Sequence, residues 1–345
     1  MNWSEQVVMV TGGTGSLGRK FIELMLNEYH PKGLVVFSRD EVKQHDMRAS
    51  GLNNPGLLYR LGDVRDSQRL GEVLAGVTLV VHAAALKQVP TCEQNPFEAV
   101  QTNIIGSKNV IDAAIKRGVC GVIALSTDKA VSPINVYGAT KLCMEKMFVQ
   151  ANRQIEEQNT RFSCVRCGNF LGSQGSVIPV FLEQSKRGKI TVTDLRMTRF
   201  WIALDDAARF VIRCLERMHG GEIFVPKAPS MRVVDIAKAV APSCDIEFSG
   251  IRPGERLHEV LLSPDEARYS IETDDMFVIQ PAHAYPRGKA RWDGMPIGEG
   301  YGYASDTNSW WLTREELCRW LNLDHQIKSV ASRHPENDVN SRNIN

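Results

Sequence analysis

Six short apolar runs limit what this chain can fold into. Val7–Thr11, Leu34–Phe37, Leu57–Arg60, Leu79–Ala84, Val119–Ser126 and Phe162–Gly168 each have strand length. Arg19–Asn27, Arg65–Leu74, Phe97–Lys116 and Tyr137–Asn152 lie among them with helical periodicity. Strands alternating with helices predict βαβ units, and strands that are apolar throughout predict a parallel sheet covered on both faces. The expected class is α/β, a Rossmann-type doubly wound parallel sheet, with ligands beyond the carboxyl ends of its strands.

The rhythm changes after Gly168. Ile178–Arg187 and Val233–Val240 read as helices separated by short strands and proline-containing turns, and Asp205–Met218 reads as a helix returning to the first layer. Thr313-Arg314-Glu315-Glu316 is a capping box that opens a helix through Leu321. The predicted division is a sheet domain at 1–170, rejoined by 197–226. A smaller substrate-binding lobe takes 171–196 and 227–322. Ser332–Asn345 holds only Val339 and Ile344 as aliphatic residues, so 323–345 is expected to be a mobile tail.

The first strand runs into Thr11-Gly12-Gly13-Thr14-Gly15-Ser16-Leu17-Gly18, and a helix follows. Glycines at 12, 15 and 18 allow a tight turn and a close approach of backbone N–H groups to a pyrophosphate, with Ser16 and Leu17 at the helix start. A glycine pattern alone is weak; a strand before it and a helix after it make it a dinucleotide site. The second strand ends in Ser38-Arg39-Asp40, with Lys43 close behind. A guanidinium there can grip a 2′-phosphate that an acid would repel, so NADP is favoured over NAD. An Arg39–Asp40 surface pair is the competing reading. Asp63 and Val64 are placed to meet the adenine, and Ala83, Ala84 and Ala85 supply small residues where a cofactor crosses the sheet edge.

The charge balance narrows the function classes. Lysine and arginine total 41 against 40 acids, a net charge of +1, which argues against nucleic-acid binding. No apolar run approaches the ~20 residues of a membrane span. Met1–Glu5 lacks a cationic start and a long apolar stretch, so no secretory leader and a cytoplasmic location are expected. The eight cysteines then read as reduced thiols, and Cys164-Val165-Arg166-Cys167 lacks the partners of a zinc or redox site. The eight histidines form no ligand pair, and no metal site is expected.

The fifth strand ends in Ser126-Thr127-Asp128-Lys129, and Tyr137-Gly138-Ala139-Thr140-Lys141 opens the next helix. All of Ser126, Thr127, Asp128, Lys129, Tyr137 and Lys141 are candidate catalytic residues. Tyr137 and Lys141 share a helix face, four residues apart. A nearby ammonium favours the phenolate, so Tyr137 can take a hydroxyl proton while hydride leaves the same carbon, with Ser126 bonding the oxygen. Tyr137 and Lys141 thus also border the cofactor.

Here the chain resembles the extended short-chain dehydrogenase/reductase family. Thr11–Gly18, Ser38–Glu41, Gly62–Asp66, His82–Lys87, Leu125–Ala130, Pro133–Lys141, Arg196–Ile202, His219–Pro226 and Gly250–Glu259 resemble the inverting UDP-N-acetylglucosamine 4,6-dehydratases, the first enzymes of pseudaminic acid synthesis. The resemblance implies Lys129 as the base at sugar C5 and Asp128 as the acid at C6. That requires Lys129 partly neutral, which burial and Lys141 would favour, and Asp128 protonated. A structural Asp128–Lys129 ion pair is the alternative. The resemblance also implies UDP-N-acetylglucosamine as substrate, C5 inversion, and homo-oligomers, often hexamers.

It further places Lys87 near the sugar and Arg199 and Arg252 on a diphosphate, with Glu255 accepting from the uridine ribose. Asn169 and the loop Ser173, Gln174, Gly175, Ser176 and Val177 complete the substrate candidates. Cys167, Gln174, Gln88 and Thr91 depart from the family pattern, which touches substrate detail. Two other readings stay open: a UDP-sugar 4-epimerase, and a non-catalytic NADP-sensing regulator.

Overall fold

The structure, a computed structural model, describes residues 1–154, 160–173, 176–281 and 292–321. The expectations for Gln174, Gly175 and the tail at 323–345 lie outside the described residues.

The six apolar runs form β1 (Val7–Thr11), β2 (Gly33–Ser38), β3 (Leu57–Leu61), β4 (Leu79–His82), β5 (Gly121–Thr127) and β6 (Arg161–Cys167). They pair in parallel in the order β3-β2-β1-β4-β5-β6. The order reverses between β1 and β4, and a crevice opens beyond the strand ends at such a switch point. Successive residues of each strand face opposite sides, so Val8 and Val10 enter one apolar core and Met9 the other.

Helix α1 (Ser16–Leu24) covers the first face, with Phe21 and Ile22 against Phe210 and Val211 of the returning helix Leu204–Arg217. On the second face, Leu70 of the helix Ser67–Val73 joins the same core as Val110 of Gly106–Arg117. Met144 and Phe148 of the helix Val136–Ala151 complete that layer. Among the described residues three α-helices escaped the periodicity reading, Glu41–Ala49, Val89–Gln94 and the single turn Pro264–Ala267. The expected Phe97–Lys116 helix is Pro96–Val100 and Gly106–Arg117 joined by a π-helical turn, Gln101–Ile105.

Beyond β6 the sheet continues with Ile223–Pro226 in parallel, then Met276–Ile279, Ser270–Glu272 and Met295–Pro296 in antiparallel pairing. The last three segments were expected in the lobe. They join the main sheet because Ile271 and Val278 pack into one core and Phe277 and Ile279 into the other. Conversely, Thr198–Ile202 was expected to return to the sheet domain but pairs with Asn169–Phe170 and Ser230–Arg232 in a separate small sheet. A third apolar cluster, including Phe181, Trp201, Ile236 and Leu317, fills the lobe. The Thr313 capping box is present and opens Arg314–Trp320. Among the described residues, no helix is long and apolar enough to cross a membrane.

Candidate active site

A cleft of about 570 Å³ opens at the carboxyl ends of β1, β2, β4 and β5. Gly12, Gly15, Ser16, Leu17 and Gly18 line it, with Ser38, Arg39, Asp40, Lys43, Asp63, Val64, Ala83, Ala84 and Ala85. Ser126, Tyr137, Lys141, Lys87 and Ser173 stand on the same wall system.

The glycine loop has the shape a dinucleotide requires. Gly12 sits at φ +65°, and a Cβ there would lie 2.8 Å from the backbone of Ala84. A Cβ on Gly18 would come 2.7 Å from Gly13, so α1 can press on the loop only with glycine. No side chain caps α1 at Gly15, leaving its positive end toward the cleft for an anion. The residues present therefore fit a dinucleotide pyrophosphate.

A buried polar network holds the opposite wall. His82 bridges Thr11 Oγ1 (2.8 Å) and Ser107 Oγ (3.0 Å), and burial brings its imidazole down to about 3, so it stays neutral. Thr11 Oγ1 accepts from the Ala84 amide at 3.2 Å. Asn103, in the π turn, accepts from Leu86 N and donates to Leu86 O and Thr140 Oγ1. Asn103 was missed in the sequence; a π turn beside a site is a structural signal without a sequence signature here.

At the ribose end, the Arg39–Asp40 pair is not formed. Asp40 caps the helix Glu41–Ala49 through Lys43 N and pairs with Lys43 Nζ, while Arg39 lies 3.6 Å from Asp63 with its side chain 57% exposed.

The β5 end holds the reactive groups. Thr127 Oγ1 donates to Asp128 Oδ1 at 2.9 Å, and Lys129 Nζ donates to the same oxygen at 3.0 Å. Lys129 also lies 3.1 Å from Glu259 Oε1, brought in from the lobe. Asp128 and Glu259 are 1% and 2% exposed, yet Asp128 Oδ2 and Glu259 Oε2 have no hydrogen-bond partner among the described residues. Ser126 Oγ is equally buried and unpartnered. Glu259 was quoted in the motif Gly250–Glu259 but given no role.

Lys129 corrects an expectation. Burial alone would neutralise it, but Asp128 and Glu259 outweigh burial and hold the ammonium above the ordinary lysine range. Arg199, not Lys141, is the cation that opposes them. Burial and the Asp128 charge raise Glu259 in turn, against Lys129 and Arg199.

Burial pushes the Tyr137 hydroxyl up to about 12, against the Lys129 ammonium and a hydrogen bond with Thr127. Lys141 does not supply that attraction: its Nζ lies 3.0 Å from Met144 Sδ, and burial brings it down to about 8. The turn carrying Asp128 and Lys129 packs against the first turn of Val136–Ala151. A Cβ on Gly138 would overlap the Lys129 carbonyl oxygen, and Asn135 caps the helix through Gly138 N.

The remaining substrate candidates divide. Burial and Lys43 lower Lys87. Arg199 is not the open fork the sequence suggested: it donates to the carbonyls of Thr198, Leu257 and Arg256 and lies 3.8 Å from Glu255. Arg252 is exposed. Asn169 is half-buried in the small sheet, Ser176 is the N-cap position of Val177–Ser185, and Val177 is its first helical residue rather than loop. Asp128, Lys129, Asn169, Arg199, Arg252 and Glu255 lie outside the residues that line the cleft. Among the described residues no group of three or more His, Cys, Asp or Glu could hold a metal ion.

A Rossmann sheet with its glycine loop, and Ser126, Tyr137 and Lys141 on the cleft wall, defines a short-chain dehydrogenase/reductase. Within that class the chain belongs to the polysaccharide biosynthesis protein family, which residues 8–281 match. It is 44% identical over 329 residues to a Campylobacter jejuni protein named UDP-N-acetylglucosamine 4,6-dehydratase (inverting), covering 93% of this chain and 98% of that one. It is also 44% identical over 283 residues to a Rickettsia conorii protein named UDP-glucose 4-epimerase, covering 80% and 83%. The solved structure of Pen from Bacillus thuringiensis superposes with a TM-score of 0.86 at 36% identity, covering 95% of this chain and 99% of that one.

Proposed function

We propose that this protein is an NADP-dependent hydro-lyase acting on UDP-N-acetylglucosamine. It removes water across C5 and C6, inverts C5 and forms UDP-2-acetamido-2,6-dideoxy-beta-L-arabino-hex-4-ulose. The observation that carries this reading is the row Asp128–Lys129–Glu259 set beside Tyr137: an acid and a base 3.0 Å apart, next to a tyrosine that can exchange a proton with a substrate hydroxyl. The full-length relative from Campylobacter supports the same reaction.

The chemistry follows from the groups. Ser126 Oγ, buried and unpartnered, orients the sugar O4 hydroxyl, and Tyr137 takes its proton once it has given up its own, a phenolate that the Lys129 ammonium and the Thr127 hydroxyl favour against burial. A nicotinamide cofactor held at the glycine loop Gly12–Gly18 would supply the hydride acceptor for C4 and the hydride donor for C6. The C4 ketone acidifies C5–H. Lys129 must then be neutral, although it rests as an ammonium. Moving its proton to Asp128 along the 3.0 Å hydrogen bond creates the free amine and the neutral acid together. The amine takes the C5 proton, and Asp128 protonates the C6 hydroxyl, which leaves as water.

Arg39 and Lys43 at the ribose end support NADP. Lys87, Ser173, Gln174, Gly175, Ser176, Asn169, Arg252 and Glu255 remain the proposed sugar-nucleotide contacts, and Arg199 acts there by ordering the loop Arg256–Leu257. A homo-oligomer accounts for Phe97, 82% exposed on Pro96–Val100. Eight free cysteines suit the cytoplasm.

Purified protein incubated with UDP-N-acetylglucosamine should yield a product lighter by one water in mass spectrometry. The Rickettsia relatives favour a second reading, a 4-epimerase using the same tyrosine; unchanged mass with a new C4 epimer selects it.

A further inference from the structure

Gly138 seats the Tyr137 helix on the Lys129 carbonyl, so the base and the tyrosine stand in a fixed relation to each other. A second relation has to be fixed elsewhere. The lobe carries Glu259 and the proposed nucleotide contacts Arg252 and Glu255. A sugar anchored there by its nucleotide meets Lys129 and Tyr137 correctly only if the lobe keeps one distance from them.

The loop 131–135, between Lys129 and the Tyr137 helix, shows how that distance is held. Arg256 of the lobe donates through Nη2 to the Ser132 carbonyl. Asn135 donates through Nδ2 to the Gly254 carbonyl at 2.8 Å. Each side thus offers one side-chain donor and one backbone acceptor. Asn135 Oδ1 meanwhile accepts from Gly138 N at 2.7 Å, so the amide that grips the lobe also caps the catalytic helix.

The backbone is shaped for this contact on both sides. Ser132 sits at φ +44°, a left-handed conformation that a serine keeps only where its surroundings hold it. Gly254 sits at φ +76°, and a Cβ there would come 3.1 Å from Asn135 Cβ. Behind the contact, buried Arg199 holds the Arg256 and Leu257 carbonyls at 2.9 and 3.0 Å, and Ser305 Oγ accepts from Glu259 N at 2.9 Å. The same segment then reaches Lys129 through the 3.1 Å ion pair of Glu259. Neither Asn135 nor Arg256 lines the cleft.

We infer that Asn135 and Arg256 are positioning residues, a reciprocal clasp that fixes the lobe segment 252–259 against the Lys129–Tyr137 unit and so sets where the sugar stands over it. The inference rests on the dehydratase reading. The clasp acts through alignment: a misplacement of about 1 Å costs up to about 100-fold in rate, while the binding groups stay in place on the lobe.

The test uses Asn135→Asp, which keeps the capping oxygen and turns a second oxygen toward the Gly254 carbonyl, Arg256→Met, which removes the other donor, and Arg256→Lys, which keeps one. N135D and R256M should each lose roughly 10- to 100-fold in kcat, with KM and the calorimetric Kd for UDP within about three-fold of wild type. R256K should recover most of the rate. The double variant should be no slower than the poorer single, because both substitutions open the same clasp. If N135D does not fold, Asn135→Ser, which also caps, takes its place. Wild-type kcat in the folded variants, a loss carried by KM or by UDP affinity, an R256K as slow as R256M, or two losses that multiply in the double variant overturns the clasp. A wild-type protein that releases no water from UDP-N-acetylglucosamine refutes the dehydratase reading instead, and the clasp falls with it.

Discussion

Arg166 donates from Nε and Nη2 to both carboxylate oxygens of Glu145, at 3.0 and 2.7 Å, with both side chains wholly buried. The fork ties β6 to the helix that carries Tyr137 and Lys141. Its other edge reaches Glu266 at 2.9 and 3.0 Å and the Leu261 carbonyl at 2.9 Å, both in the segment that follows Glu259. One guanidinium thus fixes the catalytic helix relative to the strand that delivers Glu259.

Removing that cation would strand the Glu145 carboxylate inside the protein. Arg166→Met is expected to cost about 3–5 kcal/mol, the range for breaking a buried pair. A urea unfolding midpoint that stays at the wild-type value would show that the cluster contributes nothing to stability.

Lys129 is the proposed C5 base. Lys129→Met should abolish exchange of C5–H with deuterated solvent, read by proton NMR of recovered substrate and product. Exchange that continues at the wild-type rate would remove this lysine from the base role, whatever happens to overall turnover.

Arg39 is mostly exposed and paired with Asp63 only at 3.6 Å, so its guanidinium can turn to a 2′-phosphate. A charge-assisted bond of this kind is worth about 2 kcal/mol, or roughly 30-fold in Kd. Arg39→Ala should weaken NADP by that factor in calorimetric titration and leave NAD within a few-fold. Equal losses for both would reject the assignment.

Lys141 links pH to stability. Burial brings it down to about 8 from the unfolded value of 10.5. Between these values the unfolded chain binds a proton that the folded chain does not, so this residue makes stability rise with pH in that window. Against Lys141→Met, wild type should gain roughly 3 kcal/mol from pH 8 to pH 10.5 in denaturant melts. A difference that stays flat across the window would mean that the buried amine keeps its proton.

The six central strands were legible because each is an apolar run bounded by polar or glycine residues. Glu41–Ala49 was not. Val42 is exposed, and only Gln44 and Met47 are buried, so the helix has almost no apolar stripe to find. Its one visible sign was Asp40, read as a surface partner of Arg39 at the cofactor's ribose end when it is the N-cap.

In the site, Ser126, Tyr137 and Lys141 follow a spacing that a helix and a strand end impose locally. The partners of Lys129 are not local. Glu259 arrives from 130 positions away through the lobe, where no periodicity marks it. The charge of Lys129 was misjudged for the same reason: burial was foreseeable, but the second carboxylate was not. Arg199 shows the reverse error, a fork that looked free in sequence and is spent on backbone carbonyls in three dimensions.

The missing side chain at position 138 has an evolutionary corollary. With the Lys129 carbonyl seated where a methyl group would go, the tyrosine and the 128–129 pair are parts of one stiff casting. New chemistry on this scaffold cannot arise by sliding one part past the other. It must come from exchanging the groups mounted on a fixed frame, which is how proteins named for epimerisation and for dehydration can share so much sequence with one chain.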